Sequence, residues 1–359
     1  MRKKVNLALQ GGGSHGAFSW GVIDRLLEHP GVEIEAVTGA SAGAINAVVL
    51  ADGLADGCAI EARNRMRAFW QAIIKIARSS PVRRSPFDLS ASPWSLDGSP
   101  VYIWLDLVSR LASPYDLNPF NINPLQSTIA ELVDFERVRR SPMAAFVAAT
   151  NVESGRTRLF SNGEMSPQHV MASACLPFLY QAVDIDGVPY WDGGYMGNPP
   201  LWPLFDHSVS DDVIIVQINP FRRPGAPRTA RDITNRLNEI TFNASLLREL
   251  RAVDFVSRLI AEGRLEGTGY RNVFTHIIED EAFLSTLGAS SKMNVDDAFI
   301  GLLFDKGRAA ADRFIMANWD AVGERSTFQV GDVFGDEADA LDGERILREA
   351  HFRGRRRAP

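Results

Sequence analysis

The stretch Val5-Asn-Leu-Ala-Leu-Gln-Gly-Gly-Gly-Ser-His-Gly16 decides the fold. Apolar residues alternate with Asn6 and Ala8 at its start, which predicts a short strand that ends at the glycine run. A helix is predicted from Gly16 to Glu28, because apolar residues recur there at helical spacing until His29-Pro30-Gly31 ends the pattern. The stretch therefore predicts a strand, a glycine turn and a helix in succession.

The following residues repeat this unit. A second strand is predicted over residues 34–38, and it runs into Gly39-Ala-Ser41-Ala-Gly43 before an apolar helix at 44–50. Two such units in succession are typical of a parallel sheet with right-handed crossovers. Further strands are predicted at 144–150, 156–161, 213–219 and 273–279, and helices at 61–77, 124–133, 169–174, 230–264 and 295–319.

Composition limits the class of protein. The chain has 359 residues, of which 45% are hydrophobic and 23% charged, so it can bury a sizeable core. Its net charge of -6 gives no overall basic field, which argues against nucleic acid as a partner. Two cysteines, Cys58 and Cys175, cannot build a disulfide framework. The sequence has neither a signal-peptide pattern nor an 18-residue apolar run, so we expect a cytoplasmic protein.

The turn around Ser41 has the G-x-S-x-G pattern of a nucleophile elbow. Glycines on both sides of the serine allow a sharp turn that exposes its hydroxyl, and the helix that follows favours a developing anion at its N-terminus. The alternative is a small-residue turn that only packs a helix on a strand.

The glycine run Gly11-Gly12-Gly13-Ser14-His15-Gly16 presents backbone amides at a helix start, which makes it an anion cradle. It predicts either a dinucleotide pyrophosphate loop or an oxyanion hole. The nucleotide interpretation needs an acidic residue at the end of the next strand, about 20 residues on, where this chain instead has the serine turn. Adjacent parallel strands would place the two turns side by side, as a tetrahedral oxyanion requires.

A serine nucleophile also needs a base, and two kinds of candidate are open. Of the six histidines, His207 and His276 could follow an acid in the order Ser…Asp…His. The other candidate is Asp192-Gly193-Gly194, in which a carboxylate is aimed from a tight turn after the strand-like residues 188–191. Taken alone, Asp-Gly-Gly is also typical of a hairpin turn.

The motifs together resemble the patatin-like phospholipase family. The blocks at 11–16 and 39–43, then Ala172-Ser-Ala-Cys-Leu-Pro177, then Asp192-Gly193-Gly194 occur in the family's order and cover residues 5–220. The resemblance implies an α/β fold with three layers, α/β/α, around a mainly parallel central sheet. It also implies a Ser–Asp dyad without histidine, with Ser41 as the nucleophile and Asp192 as its base, whose pKa we expect burial to raise.

Further site residues follow from the same resemblance. It implies an oxyanion hole at Gly11, Gly12 and Gly13, and no cofactor or metal. The remaining motif positions are interpreted as structural support: Gly16, Gly39, Gly43, Pro177, Gly193 and Gly194.

The expected function is hydrolysis of lipid acyl esters, of the phospholipase A or lysophospholipase type, with a lipid or another acyl ester as the partner. An acyltransferase or an intracellular polyhydroxyalkanoate depolymerase would use the same dyad. Two alternatives from other classes are a nucleotide-binding module and a non-catalytic protein that associates with membranes. Peripheral contact with the membrane is a further expectation, and the oligomeric state is left open.

The chain is predicted to divide into a catalytic domain at 1–225, a mainly helical extension at 226–333 packed on it, and a charged tail at 334–359. Within the first of these, residues 79–124 are rich in proline, serine and aromatic residues. They are interpreted either as a lid or interfacial insertion, or as an irregular cover that is packed on the core.

Overall fold

A single central sheet positions all the motifs. The computed structural model describes residues 2–78, 80, 84, 94–109, 111–223 and 225–334. Its sheet has eight strands in the order β5-β6-β3-β2-β1-β7-β8, with β4 paired to the free side of β3. The strands are β1 (Lys3–Leu9), β2 (Val32–Ala40), β3 (Ala144–Asn151), β4 (Thr157–Ser161), β5 (Val183–Ile185), β6 (Val188–Asp192), β7 (Asp212–Val216) and β8 (Phe274–Ile278).

The centre of the sheet is parallel and one side of it is antiparallel. Strand β1 lies parallel to both β2 and β7, β2 to β3, and β7 to β8. The pairs β3–β4, β3–β6 and β5–β6 are antiparallel. The expected mainly parallel sheet is therefore confirmed, and the six strands listed from the sequence are found within a few residues of their predicted ends.

Helices cover both faces of the sheet, as three layers require. Along β1, Val5 and Leu7 point into one apolar cluster with the first helices, whereas Ala8 points into a second cluster on the other face. The helices are α1 (Gly16–Glu28), α2 (Ala42–Leu54), α3 (Ala59–Ala77), α4 (Pro100–Ser109), α5 (Pro114–Leu117), α6 (Pro124–Leu132), α7 (Phe135–Arg140), α8 (Pro167–Ser173), α9 (Trp202–His207), α10 (Ala230–Ala261), α11 (Glu281–Leu284), α12 (Asp297–Asn318) and α13 (Val330–Phe334).

The region after residue 225 is built into the sheet rather than only packed on it. It supplies β8 to the sheet and α12 to the face that α1 covers. Helices α1 and α12 approach so closely that a Cβ on Gly307 would lie 2.0 Å from the Phe18 carbonyl oxygen. Of the predicted charged tail, residues 335–359 lie outside the described residues.

The segment 79–124 divides into a packed part and an exposed part. Residues 79, 81–83, 85–93 and 110 lie outside the described residues. Trp94 stacks on the buried ring of Phe299, with 5.1 Å between the ring centroids. By contrast, 59% of Trp104 and 85% of Phe120 are exposed. Trp94 is therefore part of a cover packed on the core, whereas Trp104 and Phe120 face solvent.

The contact between α1 and α12 gives a prediction about stability. Gly307→Ala should lower the free energy of unfolding by about 1–3 kcal/mol, because the new methyl group forces the two helix backbones apart. The matched control is Gly301→Ala on the same helix, where a Cβ meets no atom within 4 Å. This control should be neutral or stabilising, since alanine is the better helix former. Denaturant unfolding measures both, and equal effects at the two positions would contradict the packing described.

Candidate active site

Ser41 occupies a strained turn between β2 and α2. Its backbone angles are φ 54° and ψ -124°, a region that residues other than glycine rarely adopt. The Ser41 amide donates to the Ser173 carbonyl oxygen at 3.1 Å and to the Ser173 hydroxyl at 2.9 Å. Ile45, in the first turn of α2, donates its amide to the Ser41 carbonyl oxygen at 3.1 Å. These bonds hold the turn, and the serine side chain remains half-buried.

The two glycine turns can touch because glycine has no Cβ. A Cβ on Gly43 would lie 2.2 Å from the Leu9 carbonyl oxygen, and one on Gly11 would lie 2.7 Å from Ser41 Cβ. The turn after β1 is therefore in contact with the serine elbow, as expected for neighbouring parallel strands. The other motif glycines lie where a Cβ would come within 2.8 Å of another atom: Gly16, Gly39, Gly193 and Gly194.

The register of the sheet brings Asp192 next to this turn. Asp192 is the last residue of β6 and pairs with Ala149 on β3. The preceding residue of β3, Ala148, pairs with Ala40, directly before Ser41. Ala40 and Asp192 thus pair with consecutive residues of β3, on the side of β3 that faces away from β4, so the serine and aspartate turns are direct neighbours.

The Asp192 carboxylate is completely buried and only partly hydrogen-bonded. Its Oδ1 accepts a hydrogen bond from the Gly194 amide at 2.8 Å. Its Oδ2 is buried and accepts no hydrogen bond of regular geometry from any described residue. Burial raises the pKa of Asp192 to about 6, against the opposing effects of the Gly194 amide, the nearby Ser41 hydroxyl and the Lys292 ammonium. The expected rise is confirmed, and it makes the carboxylate a stronger base.

A single segment holds both turns. After α8, the Ser173 carbonyl and hydroxyl oxygens accept from the Ser41 amide, and two residues later the Cys175 carbonyl oxygen accepts from the Asp192 amide at 2.8 Å. The family resemblance implied that residues 172–177 support the site. In the structure they accept hydrogen bonds from the backbone amides of both Ser41 and Asp192. Pro177 follows these contacts. Burial raises the pKa of the Cys175 thiol to about 12, which keeps it protonated at neutral pH.

The three glycines predicted as an oxyanion hole are not equivalent. The Gly11 amide already donates to Asn198 Oδ1 at 2.6 Å, and the Gly11 carbonyl oxygen accepts from Asn219 Nδ2 at 2.9 Å. Gly11 therefore anchors the loop and has no amide to offer an oxyanion in this arrangement. The Gly12 and Gly13 amides donate to no acceptor among the described residues.

The histidines considered as bases lie elsewhere. His276 Nε2 bonds Asp212 Oδ1 at 2.9 Å, but Asp212 begins β7 and so lies at the opposite end of the strands from Ser41. His207 is exposed and stacks on Phe146 at 5.3 Å. His15 lies beneath the glycine loop, where burial and then the nearby charge of Lys292 lower its pKa to about 3. None of these three histidines is placed to act on Ser41.

Several residues around the site carry no recognisable signal in the sequence. Asn198 and Asn219 hold the glycine loop, and the 3₁₀ helix Ala289–Met293 packs against it from the C-terminal region. Ser14 donates to the Ser291 carbonyl oxygen at 2.8 Å. The next residue, Lys292, is one of five lysines in the chain and belongs to no motif.

Comparison with known proteins assigns the family. The model of the patatin-like phospholipase family matches residues 7–205, more than half of the chain. This chain belongs to the patatin-like phospholipase family. Membership of that family supports lipid acyl hydrolase activity. No curated protein matches the chain significantly. Among the described helices, none is both long and apolar enough to cross a bilayer.

Two solved structures show weak overall likeness to this patatin-like chain. VipD from Legionella pneumophila is 15% identical with a TM-score of 0.36, and the match covers 87% of this chain and 67% of VipD. The heterodimeric complex of ExoU with SpcU, from the type III secretion system of Pseudomonas aeruginosa, is 17% identical with a TM-score of 0.29. That match covers 97% of this chain and 60% of the other. These values say nothing about the substrate.

The geometry predicts different outcomes for aspartate and histidine substitutions. Asp192→Asn keeps the side chain's shape but removes its basicity, so turnover of a soluble ester should fall by about 10²- to 10⁴-fold. His276→Ala should leave turnover within about three-fold of the wild type and instead lower stability by about 1–3 kcal/mol, because Asp212 loses a buried partner. Steady-state kinetics and thermal unfolding distinguish the two. Equal kinetic losses would favour a histidine base and contradict the site described.

Proposed function

We propose that the chain is a serine hydrolase of lipid acyl esters, of the phospholipase A or lysophospholipase type. The observation that carries the proposal is the pairing of a strained elbow serine with a buried aspartate that has one unpartnered oxygen. Family membership, which supports lipid acyl hydrolysis, favours the same chemistry.

In the proposed mechanism, Asp192 accepts the Ser41 proton while Oγ attacks the ester carbonyl. The tetrahedral intermediate places its oxyanion at the Gly12 and Gly13 amides, whose donors are not used within the described protein. Asp192 then protonates the leaving alcohol, and an acyl-enzyme remains on Ser41. Water, deprotonated by Asp192, attacks this acyl group; as the bond to Ser41 Oγ breaks, Asp192 returns the proton to that oxygen and the fatty acid is released. Attack by an alcohol instead of water would be acyl transfer.

Apolar side chains exposed between residues 104 and 122 would suit a lipid substrate. We define the apolar surface as the exposed side chains of Trp104, Leu107, Leu111, Leu117, Phe120 and Ile122. The loop that carries Leu117 and Phe120 contacts the chain just after residues 172–177: Gln181 Nε2 donates to the Asn118 carbonyl oxygen at 2.8 Å. The Gln181 carbonyl oxygen in turn accepts from Cys175 Sγ at 3.1 Å, and the Cys175 carbonyl oxygen accepts from the Asp192 amide. Hydrogen bonds therefore connect the loop at Asn118 with the segment that holds the serine and aspartate turns.

Loss of the nucleophile tests the proposed function. Ser41→Ala should reduce hydrolysis of a nitrophenyl ester and of a phospholipid by about 10⁴- to 10⁶-fold, as other losses of a nucleophile do. Ser127→Ala is the matched control, since Ser127 is exposed on α6 and should show wild-type rates. Chromatography of the products separates free fatty acid from acyl transfer to an added alcohol. A folded Ser41→Ala variant with retained hydrolysis would overturn the proposal.

The apolar surface predicts a difference between aggregated and soluble substrates. The double variant Trp104→Ala/Phe120→Ala should lower activity on anionic phospholipid vesicles at least several-fold, because apolar and aromatic side chains favour the bilayer interface. It should spare both the soluble ester and the melting temperature. Trp94→Ala is the control for packing, and it should lower the melting temperature. If the double variant loses both activities together, the surface has no interfacial role.

A further inference from the structure

Lys292 is linked both to the glycine loop and, through Phe242, to the turn that follows Asp192. It lies on the 3₁₀ helix Ala289–Met293, and its carbonyl oxygen would be 2.3 Å from a Cβ on Gly13. Its Nζ donates to Asn219 Oδ1 at 2.6 Å and lies 5.9 Å from the centroid of the Phe242 ring. Both the backbone and the ammonium group of this lysine are therefore fixed beside the active site.

Asn219 connects the ammonium group to the glycine loop. While its Oδ1 accepts from Lys292, its Nδ2 donates to the Gly11 carbonyl oxygen at 2.9 Å and to Gln10 Oε1 at 3.2 Å. Charged donors make stronger hydrogen bonds than neutral ones. The lysine thus fixes which way the Asn219 amide points, and through it the backbone next to the two unpartnered glycine amides.

Phe242 connects the same ammonium group to the aspartate turn. One edge of its ring lies so close to Gly194 that a Cβ there would be 2.3 Å from Phe242 Cε1. The Gly194 amide holds Asp192 Oδ1. The ring also contacts Tyr195, with 5.4 Å between centroids. The lysine and the aspartate therefore act on each other beside an aromatic ring, in surroundings that screen charge poorly.

The other charges near Lys292 already have partners. Glu239 accepts two hydrogen bonds from Arg223, at 3.1 and 2.7 Å, and one from Arg236 at 3.2 Å. Asp192 has no arginine or lysine within ion-pair distance among the described residues, and neither does Lys292 have a carboxylate so close. The two are thus complementary charges beyond ion-pair distance, and each shifts the pKa of the other toward its charged form.

Three other titratable side chains near Asp192 and Lys292 are uncharged at neutral pH. Burial first, and then the charge of Asp192, raises the pKa of Tyr195 to about 12. Cys175 has its pKa raised to about 12 by the same two causes, and the pKa of His15 is lowered to about 3. At neutral pH these three side chains carry no charge, so Lys292 is the cation that faces Asp192 in the described part of the chain.

We infer that Lys292 is a positioning residue for the proposed reaction: its ammonium group is the counter-charge of Asp192 and, through Asn219, orients the glycine loop. The inference rests on the proposed function. It assigns a catalytic contribution to the C-terminal region, which lies beyond the residues that match the family model.

The inference has a definite consequence for pH dependence. Burial lowers the pKa of Lys292 to about 8, so the ammonium form still predominates at neutral pH. Its charge lowers the pKa of Asp192, which burial alone would leave higher. Asp192 must be ionised to act as a base, so kcat/KM should fall as pH drops through about 6 in the wild type. Removing the ammonium group should move this acid limb to higher pH.

The test is the pH profile of kcat/KM for a soluble ester in Lys292→Met, Lys292→Arg and wild-type protein. If the pKa of Asp192 rises by about one unit from about 6, its ionised fraction at pH 6 falls from about one half to about one eleventh, so Lys292→Met should lose about five-fold more activity at pH 6 than at pH 8. Lys292→Arg keeps the charge and should keep the wild-type acid limb. Lys75→Met, which removes an exposed lysine on α3, is the matched control and should match the wild type throughout.

Each outcome is decisive. The inference is overturned if Lys292→Met loses the same fraction of activity at every pH. It is also overturned if the acid limb of Lys292→Arg moves as far as that of Lys292→Met. Either result would leave Lys292 with a structural role only. Lys292→Gln, which keeps a donor for Asn219, carries the same test if Lys292→Met does not fold. The proposed function fails separately, because it requires that the measured activity disappear in Ser41→Ala.

Discussion

The burial of the Asp192 carboxylate is the constraint on which the rest of the site depends. A buried charge is costly unless hydrogen bonds and nearby charges offset the loss of water, yet this carboxylate receives one backbone amide and leaves one oxygen unpartnered. The fold tolerates this because the backbone of the residue is held rigidly: its amide donates to Cys175, and Thr150 Oγ1 donates to its carbonyl oxygen at 2.8 Å. One oxygen caps the short helix that begins at Gly193, and the other is left available, as the proposed role of a base requires.

The sheet explains how residues so far apart in sequence reach one place. Parallel strands place the turns that follow β1 and β2 at one edge, and the antiparallel strand β6 ends there too, because Asp192 pairs with β3 one residue beyond the partner of Ala40. The 172–177 segment then joins the serine turn to the aspartate turn by main-chain hydrogen bonds. The site is therefore fixed by backbone geometry, and its side chains need only be small enough to permit the close approaches. This division of roles accounts for the glycines on both sides of Ser41 and for the two that follow Asp192.

Local patterns were sufficient for the parts of the fold that depend on neighbouring residues. The alternation before Gly11 and the helical spacing after Gly16 predicted the first strand and helix, and the strand-like residues before Asp192 became β6. What the sequence could not show is contact across long separations: the bond of Asn198 to the glycine loop, or the position of Lys292. The same limit explains why Gly11 was grouped with Gly12 and Gly13, since only the fold reveals that Asn198 occupies its amide.

The central claim is that Ser41 is a nucleophile activated by Asp192, and covalent labelling tests it most directly. Protein treated with a fluorophosphonate should carry one adduct, which peptide mass spectrometry should place on Ser41. The labelling rate should be strongly reduced in folded Asp192→Asn and should fall as the pH is lowered through about 6, where the Asp192 carboxylate gains its proton. An adduct on another residue, or undiminished labelling of Ser41 in Asp192→Asn, would contradict the account.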